Sequence, residues 1–176
     1  MIVRHCLSTI QSISPQGGGL FSYTPHFCVV PEALYQEENQ DLWLNFLEEH
    51  IDRNQVINAD DIKEEKCVVL HEKESSGHEE HCVALLMRKS QSITELDKVC
   101  AMVVEKMLCI VLYKSGRLQL ANVFSIESIE DILYYLLNVG EQFSQNIRFP
   151  IYIANGELLT DKTLSTYLEL HHLPLE

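Results

Sequence analysis

The stretch "VCAMVVEKMLCIVLYKSGRLQLANVF", residues 99–124, consists of three apolar segments separated by two short polar breaks. We interpret residues 99–105, 108–114 and 117–124 as strands, because β-branched and aromatic residues favour the extended backbone. The second break contains Ser115-Gly116, a pair typical of a tight hairpin turn. The sequence therefore predicts an antiparallel meander of three strands.

The residues after the meander predict a helix, a strand and a second helix. Ser128-x-x-Asp131 is close to a capping box, and apolar residues then recur at three- and four-residue steps as far as Phe143. "FPIYIAN" (149–155) suits a strand buried on both faces and parallel to the first strand of the meander. "DKTLSTYLELHHL" (161–173) predicts a last helix. The order β-β-β-α-β-α predicts an α/β fold in which helices pack on a mixed sheet.

The first half of the chain carries shorter signals. Strands are predicted at "LFSYTPHFCVV" (20–30), "QVINADDI" (55–62), "KCVVLHE" (66–72) and "HCVALLMRK" (81–89), and a helix at 38–50. Pro31 ends the first of these strands, because it cannot donate a ladder hydrogen bond.

Three segments follow from this pattern. Residues 1–19 contain "SPQGGG" and read as a loose leader. Residues 20–98 form a first lobe and residues 99–176 a second, with the polar segment 90–98 as the boundary.

Composition excludes several functional classes. The formal net charge of −13 argues against binding to nucleic acid or to an anionic membrane, and favours a basic protein partner. No apolar run is long enough to span a bilayer, and the first residues lack a signal-peptide pattern, so we expect no membrane insertion and a cytoplasmic location. The six cysteines form no CxxC pair, and we interpret them as reduced core residues.

"VVPEALYQEEN" (29–39), "GRLQLANVFSIESIEDILYYLLNVGEQF" (116–143) and "FPIYIANGEL" (149–158) resemble a bacterial domain-of-unknown-function family, number 3822, of the actin-like ATPase superfamily. The resemblance covers about residues 20–170. It implies a ribonuclease-H-like, actin-like ATPase fold with a complete second lobe and an incomplete first lobe, shortened at the N terminus.

Actin-like ATPases hold nucleotide between two lobes, with Gly-containing turns against the phosphates. The corresponding turn of the second lobe falls at "VVEKML" (103–108), which has neither Gly nor Asp, and that of the first lobe has no counterpart in the chain. The loop that packs under adenosine corresponds to Asn155, Gly156 and Glu157, which are therefore the candidate cofactor-binding residues. The resemblance gives no catalytic residue.

Other polar clusters have simpler readings. "HEKESSGHEEHC" (71–82) holds His71, His78 and His81, which are candidate zinc ligands, but their spacing matches no compact zinc motif and a solvated loop tip explains them. The acidic run Asp60, Asp61, Glu64 and Glu65 is interpreted as a solvated surface rather than a magnesium site.

These observations favour a non-catalytic actin-like scaffold or interaction protein that needs no cofactor. One alternative is a nucleotide-binding protein or weak ATPase that takes ATP beside Gly156, and a second is a metal-binding protein that uses the segment 71–82. An incomplete first lobe leaves sheet edges uncovered, so we also expect a homodimer or another protein partner.

Overall fold

The computed structural model describes residues 20–45, 57–72, 79–143 and 149–175. These residues form ten strands and four α-helices. The strands are β1 (Leu20–Ser22), β2 (Phe27–Pro31), β3 (Ile57–Ile62), β4 (Cys67–Glu72), β5 (Glu79–His81), β6 (Lys98–Val104), β7 (Met107–Lys114), β8 (Arg117–Ser125), β9 (Ile151–Ile153) and β10 (Leu170–His172). The helices are α1 (Gln40–Asn45), α2 (Cys82–Ser90), α3 (Ile129–Phe143) and α4 (Lys162–Tyr167).

A five-stranded mixed sheet organises the C-terminal half, in the order β10-β9-β6-β7-β8. Strands β6, β7 and β8 pair antiparallel, which confirms the predicted meander. Strand β9 pairs parallel to β6, as predicted from its continuous apolar run, and β10 pairs parallel to β9.

Helix α3 begins at the predicted capping box. The backbone N–H of Asp131 donates to Ser128 Oγ (3.3 Å), and the N–H of Ser128 donates to Asp131 Oδ2 (3.0 Å). These reciprocal bonds satisfy two backbone donors where the helix has no partners of its own. They fix the turn that takes the chain from the sheet edge onto its face.

The alternation of side chains along β6 divides the core into two layers. Cys100 and Met102 pack with α2 on one face of the sheet, whereas Val99, Ala101 and Val103 pack under α3 and α4 on the other. Both faces of the sheet are covered here, so the central strands β6 and β7 carry no polar face.

The N-terminal half adds two smaller sheets. Strand β4 lies between β2 and β3 in an antiparallel sheet, and β1 pairs parallel to β5. Helix α2 contacts β3 as well as β6 and β7, and so joins this half to the large sheet.

In the segment proposed as the lobe boundary, the buried Lys98 donates through Nζ to the carbonyls of Ser90 (2.7 Å) and Ile93 (2.8 Å). The division into 20–98 and 99–176 remains a prediction.

One predicted element was wrong in type, and another was predicted too long. Most of the predicted strand 81–89 is helix α2 (Cys82–Ser90), because a short apolar run fits either state and Ala-Leu-Leu-Met favours the helix. The predicted helix 161–173 ends at Tyr167; Leu168 is extended, and β10 completes the sheet edge instead. The predicted strand 20–30 is interrupted around Pro25, and the predicted helix 38–50 contains α1, its remainder lying outside the described residues.

The cysteines also require a correction. Cys82, at the start of α2, and Cys109, in β7, form a disulfide, so not every cysteine is reduced. Sequence spacing gave no sign of this pair, because 27 positions separate the two residues and only the packing of α2 on the sheet brings them together.

Candidate functional site

The loop after β9 is organised by the side chain of Asn155, which is 1% exposed. Its Nδ2 donates to the carbonyl of Val103 (3.0 Å), and its Oδ1 accepts from the N–H of Val103 (2.7 Å). Both ends of the carboxamide are therefore used to hold the loop against β6.

Gly156 and Glu157 follow in a short 3₁₀ turn. Both are exposed, and the N–H of Leu158 donates to the carbonyl of Asn155 (3.1 Å). Gly156 does not have a positive φ, and a Cβ added there would meet nothing within 4 Å. Its backbone conformation does not require glycine, and the space beside it is open.

The turn between β6 and β7 is as short as a hairpin turn can be. Val104 pairs with Met107, which leaves only Glu105 and Lys106 between the strands, and Glu105 adopts φ 52°. The carbonyl of Lys106 accepts from the N–H of Ile126 (2.8 Å). A turn of two residues with long side chains, tied to the start of α3, offers no row of free backbone N–H groups.

A buried polar cluster lies in the N-terminal half, centred on Asp60, which is 4% exposed. Asp60 Oδ2 accepts from the backbone N–H of His81 (2.8 Å) and lies 3.2 Å from Nε2 of His71. Both histidines are fully buried, and their ring centroids are 5.1 Å apart. The structure thus brings together His71 and His81, two of the three candidate zinc ligands. Asp60 was predicted to lie on a solvated surface, and it is buried instead.

The ring of His81 joins three segments of the chain. Its Nδ1 accepts from the N–H of Val83 (3.3 Å), which caps α2, and its Nε2 lies 3.0 Å from the carbonyl of Thr24. With Nδ1 as acceptor and Nε2 as donor, the ring is the neutral tautomer. Burial lowers the pKa of His81 from 6.5 to about 4, although the bond to Thr24 opposes this.

These contacts bear on the candidate metal ligands. Nδ1 of His71 lies 3.1 Å from the carbonyl of Glu72, so each ring nitrogen of His71 and His81 faces a protein group. His78 lies outside the described residues. Among the residues that the structure describes, no group of three His, Cys, Asp or Glu side chains is arranged to hold a metal ion.

A family model described as "Protein of unknown function (DUF3822)" matches residues 20–172. The chain belongs to this family. The match confirms the resemblance drawn from residues 29–39, 116–143 and 149–158, and no curated protein matches the chain.

One solved structure resembles this member of the DUF3822 family. It is the crystal structure of a protein from Bacteroides thetaiotaomicron with an actin-like ATPase fold and unknown function. The TM-score is 0.62 at 18% sequence identity, over 84% of this chain and 64% of the other. The likeness confirms the actin-like fold, and this chain spans less than two thirds of the length of that protein.

The fold family would imply a bound nucleotide, and the described residues that the resemblance assigned to it do not fit one. At the predicted adenosine loop, both ends of the Asn155 carboxamide bond to Val103. The predicted phosphate turn is a hairpin turn of two residues that contains no glycine. No helix of the described residues is long and apolar enough to cross a membrane.

Proposed function

We propose that this protein is a non-catalytic actin-like protein that acts through protein contacts, with a degenerate nucleotide cleft. The bidentate contact between Asn155 and Val103 is the observation that carries the proposal. A side chain that binds a ligand must be able to turn toward it, whereas this carboxamide is buried and both of its ends are engaged in holding the sheet.

The turn at Glu105-Lys106 supports the same proposal. Phosphate recognition by backbone N–H groups needs close approach, which glycine permits and side chains on a two-residue hairpin prevent. Glu105 also adds a negative charge where a phosphate would have to come close.

A nucleotide-binding role is the second candidate, and one observation favours it. The space over Gly156 is open, so a flat base could lie against the loop without displacing a side chain. This candidate needs no phosphate contact from the β6–β7 turn.

Calorimetry with ATP and Mg²⁺ tests both candidates on the whole chain. We expect no heat of binding up to millimolar nucleotide, and micromolar affinity would overturn the first proposal. Gly156→Trp tests whether nucleotide binds at this loop, because the tryptophan fills the open space while leaving the core intact. Binding that Gly156→Trp abolishes, and that Glu127→Trp at another exposed position leaves unchanged, would assign the nucleotide to this loop.

The partner completes the proposal. A net charge of −13 favours a basic protein surface over nucleic acid, and the partner is either a second copy of the chain or a different protein. We place this activity in the cytoplasm. Light scattering of the purified chain distinguishes self-association from a requirement for another protein.

A further inference from the structure

The outer stripe of α3 is an unusual surface in an acidic protein. Its residues follow one another at steps of four, three and four positions, and they are Glu130, Tyr134, Leu137 and Glu141. Tyr134 is 61% exposed and Leu137 38% exposed, although the opposite face of the helix is buried in the core. Two apolar side chains thus lie between the exposed Glu141 and the half-buried Glu130, one of whose carboxylate oxygens is buried, on a line roughly 16 Å long at 1.5 Å per residue.

The aromatic residue of this stripe belongs to a row of three aromatic rings. The ring of Tyr134 meets the ring of Tyr135 edge-on at 5.3 Å between centroids, and Tyr135 stacks on Phe124 of β8 at 4.4 Å. A tyrosine side chain has only two rotatable bonds, so it loses little conformational entropy when a partner covers it. Tyr134 therefore has the properties of an interface anchor.

The charge around the stripe selects the partner. Helix α3 carries Glu130, Asp131 and Glu141 and has no Lys, Arg or His. Two copies of α3 packed against each other would bring like charges together, which disfavours a second copy at this surface. A segment with Lys or Arg beside its apolar residues is complementary to the stripe.

Strand β8, at the neighbouring edge of the sheet, is protected against pairing with a strand of another protein. Along β8, Asn122 Oδ1 accepts from the N–H of Val123 (2.8 Å), and Nε2 of Gln119 lies 3.3 Å from the carbonyls of Arg117 and Leu118. Side chains thus occupy edge groups that an added strand would need. Docking on the helix avoids this edge.

We propose that the outer stripe of α3 docks an amphipathic helix of another protein, whose apolar face is flanked by Lys or Arg. The inference rests on the proposed function, since it names the partner of a protein that acts through contacts. Tyr134 and Leu137 pack into the apolar face of that helix, and Glu130 and Glu141 pair with cations at its two ends.

The probe is a synthetic helical peptide of Leu and Lys, about 18 residues long so that it covers the stripe. It is titrated into the whole chain by calorimetry at two salt concentrations. Tyr134→Ala is expected to weaken binding by about tenfold. Tyr167→Ala is the matched control, because Tyr167 is 58% exposed on α4, and it should leave the affinity unchanged.

The charged ends are tested separately. Glu130→Gln with Glu141→Gln should weaken binding and flatten its salt dependence, whereas Glu157→Gln, at an exposed carboxylate outside the stripe, should do neither. Equal effects of Tyr134→Ala and Tyr167→Ala would overturn the inference, as would absence of binding at millimolar peptide. A dimer of the chain that Tyr134→Ala dissociates would assign the stripe to a second copy. Micromolar ATP binding with intact peptide binding would remove only the proposed function.

Discussion

The side chain of Asn155 takes the place of a strand residue opposite Val103. Strand β9 ends at Ile153, and the N–H of Ala154 still donates to the carbonyl of Ala101 (3.0 Å). Beyond that point the carboxamide of Asn155 contacts both the N–H and the carbonyl of Val103. Pairing along β6 thus continues after the backbone of the neighbouring segment has turned away.

Asn155→Ala should lower the free energy of unfolding by about 2 to 4 kcal/mol, because two buried backbone groups of Val103 lose their partners. Urea denaturation followed by circular dichroism measures the change. Asn138→Ala, at a partly exposed position of α3, should stay within about 0.5 kcal/mol of the parent protein. A loss of the same small size for Asn155→Ala would show that the carboxamide does not hold the loop.

Gly156 and Gly116 should respond oppositely to the same substitution. Gly116 has φ +71°, and a Cβ there would lie 3.2 Å from Leu96, so Gly116→Ala should destabilise by about 1 kcal/mol or more. Gly156→Ala meets no atom and no positive φ, and should be neutral or slightly stabilising. Thermal unfolding of both variants compares them. A marked loss on Gly156→Ala would mean that this loop depends on glycine after all.

The sequence predicted correctly the elements whose hydrophobic pattern fits only one type of secondary structure. Residues 99–124 alternate between turn residues and apolar segments, and Ser128 with Asp131 marks the start of α3, so the meander and its helix were correct. Residues 81–89 were assigned to the wrong state, because nothing local distinguishes a buried helix from a buried strand. Residues 170–172 became a strand through pairing with β9, which is a tertiary effect.

The sequence predicted where Asn155 lies in the fold, but not its contacts with Val103. The order of elements placed Asn155 at the end of β9 correctly, yet the two bonds to Val103 depend on the parallel register with β6, which the sequence does not specify. Asp60 was assigned to the surface because its neighbours are acidic. The alternation of β3 offered the missing signal, since Asp60 and Ile62 lie on the same buried face.

The buried His81 should make stability depend on pH. Its pKa is about 4 in the native state and 6.5 ordinarily, so between these values the unfolded chain binds more protons. Stability should therefore fall as pH decreases from 6.5 to 4, by up to about 1.4 kcal/mol per pH unit from this group. Urea unfolding of the parent and of His81→Asn, at several pH values, measures how stability changes with pH in each protein.

The free energy of unfolding should depend less steeply on pH in His81→Asn than in the parent, by an amount that corresponds to at most one bound proton. An equal dependence in the two proteins would contradict the lowered pKa of His81. If the variant is too unstable to measure, an NMR titration of the parent decides the question. The His81 ring should then remain neutral down to about pH 5, following the lowered pKa.

Cys82 and Cys109 should resist alkylation in the unfolded chain. Because they are disulfide-bonded, iodoacetamide in urea without a reductant should modify Cys28, Cys67 and Cys100 and leave this pair unmodified. Peptide mass spectrometry identifies the modified residues, and prior reduction should expose the pair to alkylation. Modification of Cys82 without reduction would instead support the reduced state inferred from the sequence.

The protein should self-associate through the edge of β8 when the side chains that bond to the backbone of this edge are removed. Leu112 pairs with Leu120 and Tyr113 with Leu118, so Gln119 is a bulge that interrupts the edge. Gln119→Ala together with Asn122→Ala frees the N–H of Val123 and removes a polar cover from the edge carbonyls. A strand edge with free backbone groups pairs with other strands.

Sedimentation velocity over a range of concentrations measures this association. The double variant should form larger species at concentrations where the parent does not, because edges of two copies can then pair. Asn138→Ala with Gln142→Ala removes the same residue types from α3, where the side chains bond each other, and should leave sedimentation unchanged. Identical behaviour of the β8 variant and the parent would mean that the bulge alone keeps the edge from pairing.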